Sequence, residues 1–552
     1  MFIFTENLFR MKNFFFIISL AFISCAEDRI PADLLVKNAN IYTVNVNFDK
    51  AEAFVVKDGR ILEIGTSREL DKKYITTETF DVAGKTLVPG LIDGHAHLYN
   101  LGLSLQNVDL VGTKSYKEVL ERIVAFQKEN NTNYIVGRGW DQNDWDIKEF
   151  PTKTELDSLF PATPVALKRI DGHAYITNSK ALELAGITAK TSVSGGEIVL
   201  VNGEPSGIII DAPMELINKT IPPPSREQKI KALKDAEKIC LELGLTTIND
   251  AGLNRDVIEL IDSLQQSGEM SIKIYAMISN TKSNRDYYFE KGIIKTDRLS
   301  VRSFKVYADG ALGSRGAAMI DSYSDKENHF GAFITPKDSI NYYAQRIAVS
   351  GFQMNTHAIG DAANEVVLES YRKALLGTRD LRWKVEHAQV LASNGLRYFS
   401  RHIIPSVQPT HATSDMYWAE DRIGEERIER AYVYKTLLNK AKLIVLGTDF
   451  PVEKVNPMYT FYAAVARKDL NNYPEGGYRY KEALSRLETL KGMTIWPAFS
   501  NFEENDKGSI VTRKFADFTV LDQDIMTIPE DSIPSVKVLA TYINGKKVFG
   551  RD

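Results

Sequence analysis

Between Leu87 and Asp449, eight short runs of strand character alternate with helical stretches, and nothing else in this chain restricts its fold as much. The runs are Leu87–His97, Thr246–Asp250, Ile272–Ile278, Arg302–Ala308, Gln353–His357, Lys384–His387, Ile403–Gln408 and Leu443–Asp449. Helical patterns at Gln228–Leu243, Val257–Gln266 and Ala362–Leu376 lie between several of them. Strands alternating with helices predict an α/β fold with a parallel sheet, and eight is the count that closes a (β/α)8 TIM-type barrel. With 552 residues, 44% of them apolar, the chain can bury such a barrel and has length to spare.

The spare length falls in three places. Residues 33–88 carry short β runs with turn chemistry, in "DLLVKNANIYTV" and "AFVVKDGRILEIG", and the same texture returns in residues 500–552 in "VLATYINGKKVFG". Two β-rich flanks predict one small sheet domain assembled from both chain ends, around a barrel over residues 89–499. From His97 to Thr246 the chain runs far beyond what one βα unit needs, so an insertion is expected over residues 106–224, ended by the "IPPPS" breaker. It leaves from the C-terminal end of the first strand, the face where barrel active sites are built.

The third place is the start. From Met11, a more natural start than Met1, "MKNFFFIISLAFISC" has a lysine, an apolar run from Phe14 to Phe22 and small residues before Cys25. The run is too short to span a bilayer and fits a secretory signal over residues 1–25. It resembles a bacterial lipoprotein signal, which implies a lipid on Cys25 and an exported protein anchored on the periplasmic or cell-surface side of a membrane. An ordinary cleaved signal with a coincidental cysteine is the alternative. With Cys25 acylated, Cys240 is the one cysteine left; it sits in an amphipathic helical pattern and is expected to be a buried small hydrophobe.

Chemistry concentrates at the strand ends. "DGHAH" gives His95 and His97 at i and i+2, on one side of the first strand. Lys305 lies on alternate positions of the fourth strand, in "RSFKVYADGALGSR", where an unpaired ammonium is costly to bury. His357, His387 and Asp449 end the fifth, sixth and eighth strands. Four of only eight histidines therefore fall on three strand ends in barrel order. Imidazole and carboxylate are ligands for zinc and similar divalent ions, and a closed barrel brings these ends to one mouth.

Together, "VPGLIDGHAHL", the lysine on strand four, the histidines on strands five and six and the aspartate on strand eight resemble the amidohydrolase superfamily in its two-metal form. "FKVYADGALGSRGA", "HAIGDAAN", "VQPTHATSD" and "DGHAYITNSKAL" resemble the branch that includes N-substituted formamide deformylases. The resemblance implies a β-sandwich from the two chain ends. It also implies two divalent ions, zinc being the expected metal: one on His95, His97 and Asp449, the other on His357 and His387. Lys305 would bridge them as a carbamate. A hydroxide shared by the metals would attack a C–N bond of an amide, N-substituted formamide or cyclic amide. Asp449 would accept its proton and pass it to the leaving amine, or serve as a ligand only.

Five further residues are candidates for contact with substrate or the reacting groups, three of them with a second reading. His173 in the insertion either assists catalysis over the metals or faces solvent as a loop histidine. Trp140 and Asp141 in "GRGWDQ" form a pocket wall and a polar anchor for substrate, or the tryptophan is simply buried. Arg315 grips a substrate carboxylate or makes a surface ion pair, and His411 is expected to line the mouth. His329 and His402 show no pattern and are expected at the surface.

Two competing readings stay open: a one-metal deaminase of the same fold, against which Lys305 argues, and a lipid-anchored binding protein without catalysis. The expected partner is a small amide-type molecule. A net charge of −4 implies no attraction to nucleic acid, and membrane contact is expected only through the lipid; a homo-oligomer is left open.

Overall fold

The computed structural model describes residues 29–551, apart from 171, 173, 194–195 and 378–379 and the side chain at 143. In its largest sheet a two-residue strand, Ile294–Lys295, pairs antiparallel at the side, and the other eight strands are β1 (Leu91–Ala96), β2 (Leu245–Leu253), β3 (Lys273–Ser279), β4 (Leu299–Tyr307), β5 (Gln353–Ala358), β6 (Trp383–His387), β7 (Ile403–Val407) and β8 (Val445–Leu446). They pair in sequence order and all run parallel. The ring closes at the mouth, where the Asp449 N–H donates to the His95 carbonyl at 2.8 Å and the His97 N–H to Phe450 at 2.9 Å. Closure requires a glycine at position 94, because a Cβ there would lie 2.2 Å from Val445 Cγ1 and 2.7 Å from the Leu446 carbonyl oxygen.

The helices between strands are amphipathic, as the spacing predicts. In Arg255–Gln266 the buried residues Val257, Ile258, Leu260, Ile261 and Leu264 recur at helical intervals. Arg226–Glu242 starts at a capping box from Ser225 to Gln228, directly after the proline run. Cys240 lies on its buried face.

Two expected strands are much shorter than their sequence runs. Leu87–His97 divides at Gly90: Thr86–Pro89 pairs antiparallel with Phe518–Leu521 outside the barrel, and only Leu91–Ala96 pairs with β2. Gly90 allows the crossing because a Cβ there would lie 2.3 Å from Thr246 Oγ1. The eighth run shrinks to two residues because the backbone turns away after Leu446; Asp449 already has φ +62°.

Both chain ends contribute to a β-sandwich. One sheet has the order Arg60–Gly65, Ala53–Lys57, Ile30–Lys37, Tyr74–Asp81. In the other, Lys546–Gly550, Val538–Ile543 and Phe518–Leu521 join Thr86–Pro89, Asn40–Tyr42 and Lys50–Ala51. Leu34, Phe54, Ile61, Leu87, Phe518 and Tyr542 fill the space between them. Between β1 and β2 a separate six-stranded sheet forms, with Ile135–Trp140 and Val165–Arg169 near its middle. Alternate residues of Val165–Leu167 enter two different cores, Leu167 joining Trp140 and Ile176, and Ala166 joining Tyr175 and Ile209. No helix among the described residues is long and apolar enough to cross a membrane.

Candidate metal centre

At the barrel mouth, hydrogen bonds fix which nitrogen of each β1 histidine carries a proton. His95 Nδ1 lies 2.6 Å from Glu386 Oε2, and His97 Nδ1 lies 2.9 Å from the Ala251 carbonyl oxygen. Both partners only accept, so both Nδ1 atoms donate, and in the neutral rings that bind metal both Nε2 atoms present lone pairs. Those lone pairs meet Asp449 Oδ1, which is 3.6 Å from His95 Nε2 and 3.1 Å from His97 Nε2. Three acceptors facing one another in a buried site repel unless a cation lies among them. A ligating histidine characteristically donates its other N–H to a carboxylate or carbonyl, which is the arrangement here.

Lys305 is 1% exposed and makes no ion pair among the described residues. Its Nζ lies 3.0 Å from His95 Nε2 and 5.1 Å from the centre of the Tyr307 ring. Burial pushes the ammonium down to about 8. His387 stands edge-on to His357 with ring centres 4.5 Å apart, and 5.1 Å from His95. His387 Nδ1 and Asp449 Oδ1 are buried without a hydrogen-bond partner among the described residues. Burial and the Lys305 charge keep His95 neutral down to about pH 4 and His357 to about 3, and burial holds His387 well below the ordinary imidazole value. Neutral imidazoles are what a metal requires. His95, His387 and Asp449 offer ligand atoms within 4.8 Å of one another. His387 and Asp449 both have left-handed φ, +71° and +62°, a backbone strain that concentrates at functional sites. The donor set fits divalent cations.

His411 lies at the mouth beside Asp449: its Nε2 is 3.3 Å from Asp449 Oδ2 and its Nδ1 3.0 Å from Glu453 Oε1. Burial opposes its charge, but these two carboxylates outweigh burial and push it up to about 10. Trp140 is wholly buried in the insertion core, with its indole N–H donated to the Leu167 carbonyl at 2.8 Å. Asp141 pairs with Arg169 at 2.5 Å. Arg315 holds Asp325 through two hydrogen bonds of 2.9 and 2.7 Å, and Arg422 binds the same carboxylate. His329 is half-buried against the Arg315 carbonyl, and His402 is exposed beside Asp380. His173 and Cys25 lie outside the described residues.

Three carboxylates belong to the site without having been expected there. Glu386 orients His95 and lies 3.3 Å from Lys384, both fully buried. "WKVEH" carries a signal for it, since two charges alternate on a buried strand, as Lys305 does in β4. Asp309 accepts backbone N–H groups from Ala318, Ile359 and Gly360 at 2.8–3.0 Å and stands 3.6 Å from His357 Nε2. Burial pushes its carboxyl up to about 7. Glu453, in the turn after β8, has no signal in the sequence.

Glu386→Gln is expected to weaken zinc binding by about 10–100-fold, because a neutral amide holds the His95 N–H less firmly and leaves Lys384 uncompensated. Competition with a chelating indicator measures this. Unchanged affinity would reduce Glu386 to a counter-charge for Lys384.

Comparison with known proteins gives one consistent picture. A sequence model described as the amidohydrolase family matches residues 78–549. The chain is 33% identical over 543 residues to the protein LONG AFTER FAR-RED 3 of Arabidopsis thaliana, covering 94% of this chain and 92% of that one. It is 27% identical over 548 residues to an N-substituted formamide deformylase of Arthrobacter pascens, covering 93% and 97%. A crystal structure of a metal-dependent hydrolase from Pyrococcus horikoshii OT3 superposes with a TM-score of 0.78 at 27% identity, over 90% of this chain and 99% of that one.

Proposed function

This chain belongs to the amidohydrolase family and has its metal-dependent hydrolase fold, and from that premise we propose that it hydrolyses a C–N bond of an amide, N-substituted formamide or cyclic amide with two divalent ions. The observation that carries the reading is Lys305: a buried lysine that makes no ion pair among the described residues, with its Nζ 3.0 Å from His95 Nε2.

His95, His97 and Asp449 would hold one ion, and His357 and His387 the other. Lys305 would lie between them after its neutral amine attacks CO₂, forming an N–C bond and releasing one proton to solvent; the resulting carbamate anion offsets the repulsion of two nearby cations. Bound there, the ions would polarise the scissile carbonyl and lower the pKa of the attacking water. Glu386 fixes the His95 tautomer, and the Ala251 carbonyl does the same for His97. Asp449 takes the proton of the attacking water and returns it to the nitrogen as the C–N bond breaks, so the products are a carboxylate and a free amine. Likeness to the Arthrobacter pascens enzyme along nearly the whole chain supports placing N-formyl amines first among substrates.

The test is metal analysis of purified protein together with a panel of N-formyl amines, N-acyl amines, cyclic amides and an aminopurine, following release of amine or ammonia. The expected result is about two ions per chain and turnover of at least one class. Bound metal with no turnover across the panel would favour a binding protein, and ammonia released from an aminopurine would favour a deaminase.

A further inference from the structure

Resting on the metal-site reading above, we propose that Glu453 and His411 are positioning residues that hold the Asp449 carboxylate with Oδ1 toward His95 and His97 and Oδ2 away from them. Asp449 follows a strand of only two residues; its N–H is held by the His95 carbonyl at 2.8 Å, which fixes the backbone but not the carboxylate. His411 instead reaches it from the Pro409–Asp415 helix after β7. Its ring faces two carboxylates, Asp449 Oδ2 at 3.3 Å and Glu453 Oε1 at 3.0 Å, and both only accept. Each ring nitrogen therefore lies within hydrogen-bond distance of a carboxylate oxygen, and the ring is held from both sides.

Glu453 makes that arrangement hold. Its Oε1 also accepts the Ser414 hydroxyl at 2.7 Å, so the carboxylate is anchored to the same helix that carries His411. The His411 ring is further fixed by stacking on His387, with centres 5.8 Å apart and planes at 20°. Without Glu453, the ring loses its Nδ1 contact and is free to turn away from Asp449. Asp449 Oδ1 would then lose its aim at the two Nε2 lone pairs. Glu453 also lines a cavity of about 400 Å³ with Thr413, Tyr417 and Tyr459, and its side chain is 19% exposed. Replacing it does not empty a sealed core.

The experiment strips the full chain of metal and measures zinc affinity by competition with a chelating indicator, alongside kcat and KM. Glu453→Ala is expected to bind zinc about 10–100-fold more weakly and to lose kcat at unchanged KM. Glu453→Gln keeps an oxygen that accepts from His411 Nδ1 and is expected to stay close to the parent in both readouts. Equal zinc affinity and kcat in Glu453→Ala and the parent overturn the proposal. So does a Gln variant as impaired as the Ala variant, which would assign the effect to charge rather than placement. A parent protein that binds no zinc would instead overturn the metal-site reading.

Discussion

Lys305→Met should abolish turnover and strip the site of metal while raising the thermal stability of the metal-free protein. The opposite signs make this variant informative. Lys305 is a buried ammonium with an imidazole at 3.0 Å and no ion-pair partner among the described residues. Glu386 and Asp449 attract the ammonium without reaching ion-pair distance, burial outweighs them, and replacing it with an apolar side chain of similar length should recover roughly 1–3 kcal/mol. A structural lysine would behave the other way, losing stability on substitution. As the bridging carbamate, Lys305 would supply the anion that lets two cations share the site, so metal content should fall to one ion or fewer and kcat/KM by about 10³ or more. Elemental analysis and melting curves of the metal-free proteins read the two effects separately. Two ions retained in Lys305→Met would remove the bridging role.

Lys305 also shows why the barrel and its donor set could be read from the residues. Parallel strands buried on both faces appear as short apolar runs, and a charged residue inside one is conspicuous. Histidine is rare in this chain, so its recurrence at strand ends carried information that a common residue would not have. What stayed hidden depends on contacts far apart in sequence. Glu386 meets His95 across 291 positions, and Glu453 meets His411 across 42 from a turn with no periodicity. The left-handed φ of His387 and Asp449 is likewise invisible, because neither residue type announces it. Trp140 has two readings in sequence because an indole serves a pocket wall or a core equally well; strand pairing in the insertion sets it opposite Arg169, with its indole N–H on the Leu167 carbonyl. Strand ends blurred for a related reason: Thr86–Pro89 and Leu91–Ala96 share one apolar pattern but belong to different sheets.

Asp449→Asn should lower kcat by about 10²–10⁴, the range expected for losing a general acid–base group. Asparagine tolerates the φ of +62° at this position, so the backbone should keep its course. The amide, however, cannot satisfy both sides of the site. His411 presents an N–H to Oδ2, while His95 and His97 present lone pairs, and the metal they would hold, to Oδ1. One NH₂ and one oxygen serve only one of these faces well, so zinc affinity should fall along with kcat. Leaving-group dependence separates the two losses. If Asp449 carries the proton to the departing amine, the variant should lose most on substrates with basic amines and least on anilides whose nitrogen leaves more readily. A loss that is equal across such a series, and that excess zinc restores, would leave Asp449 as a ligand alone and move the proton transfer to another group at the mouth.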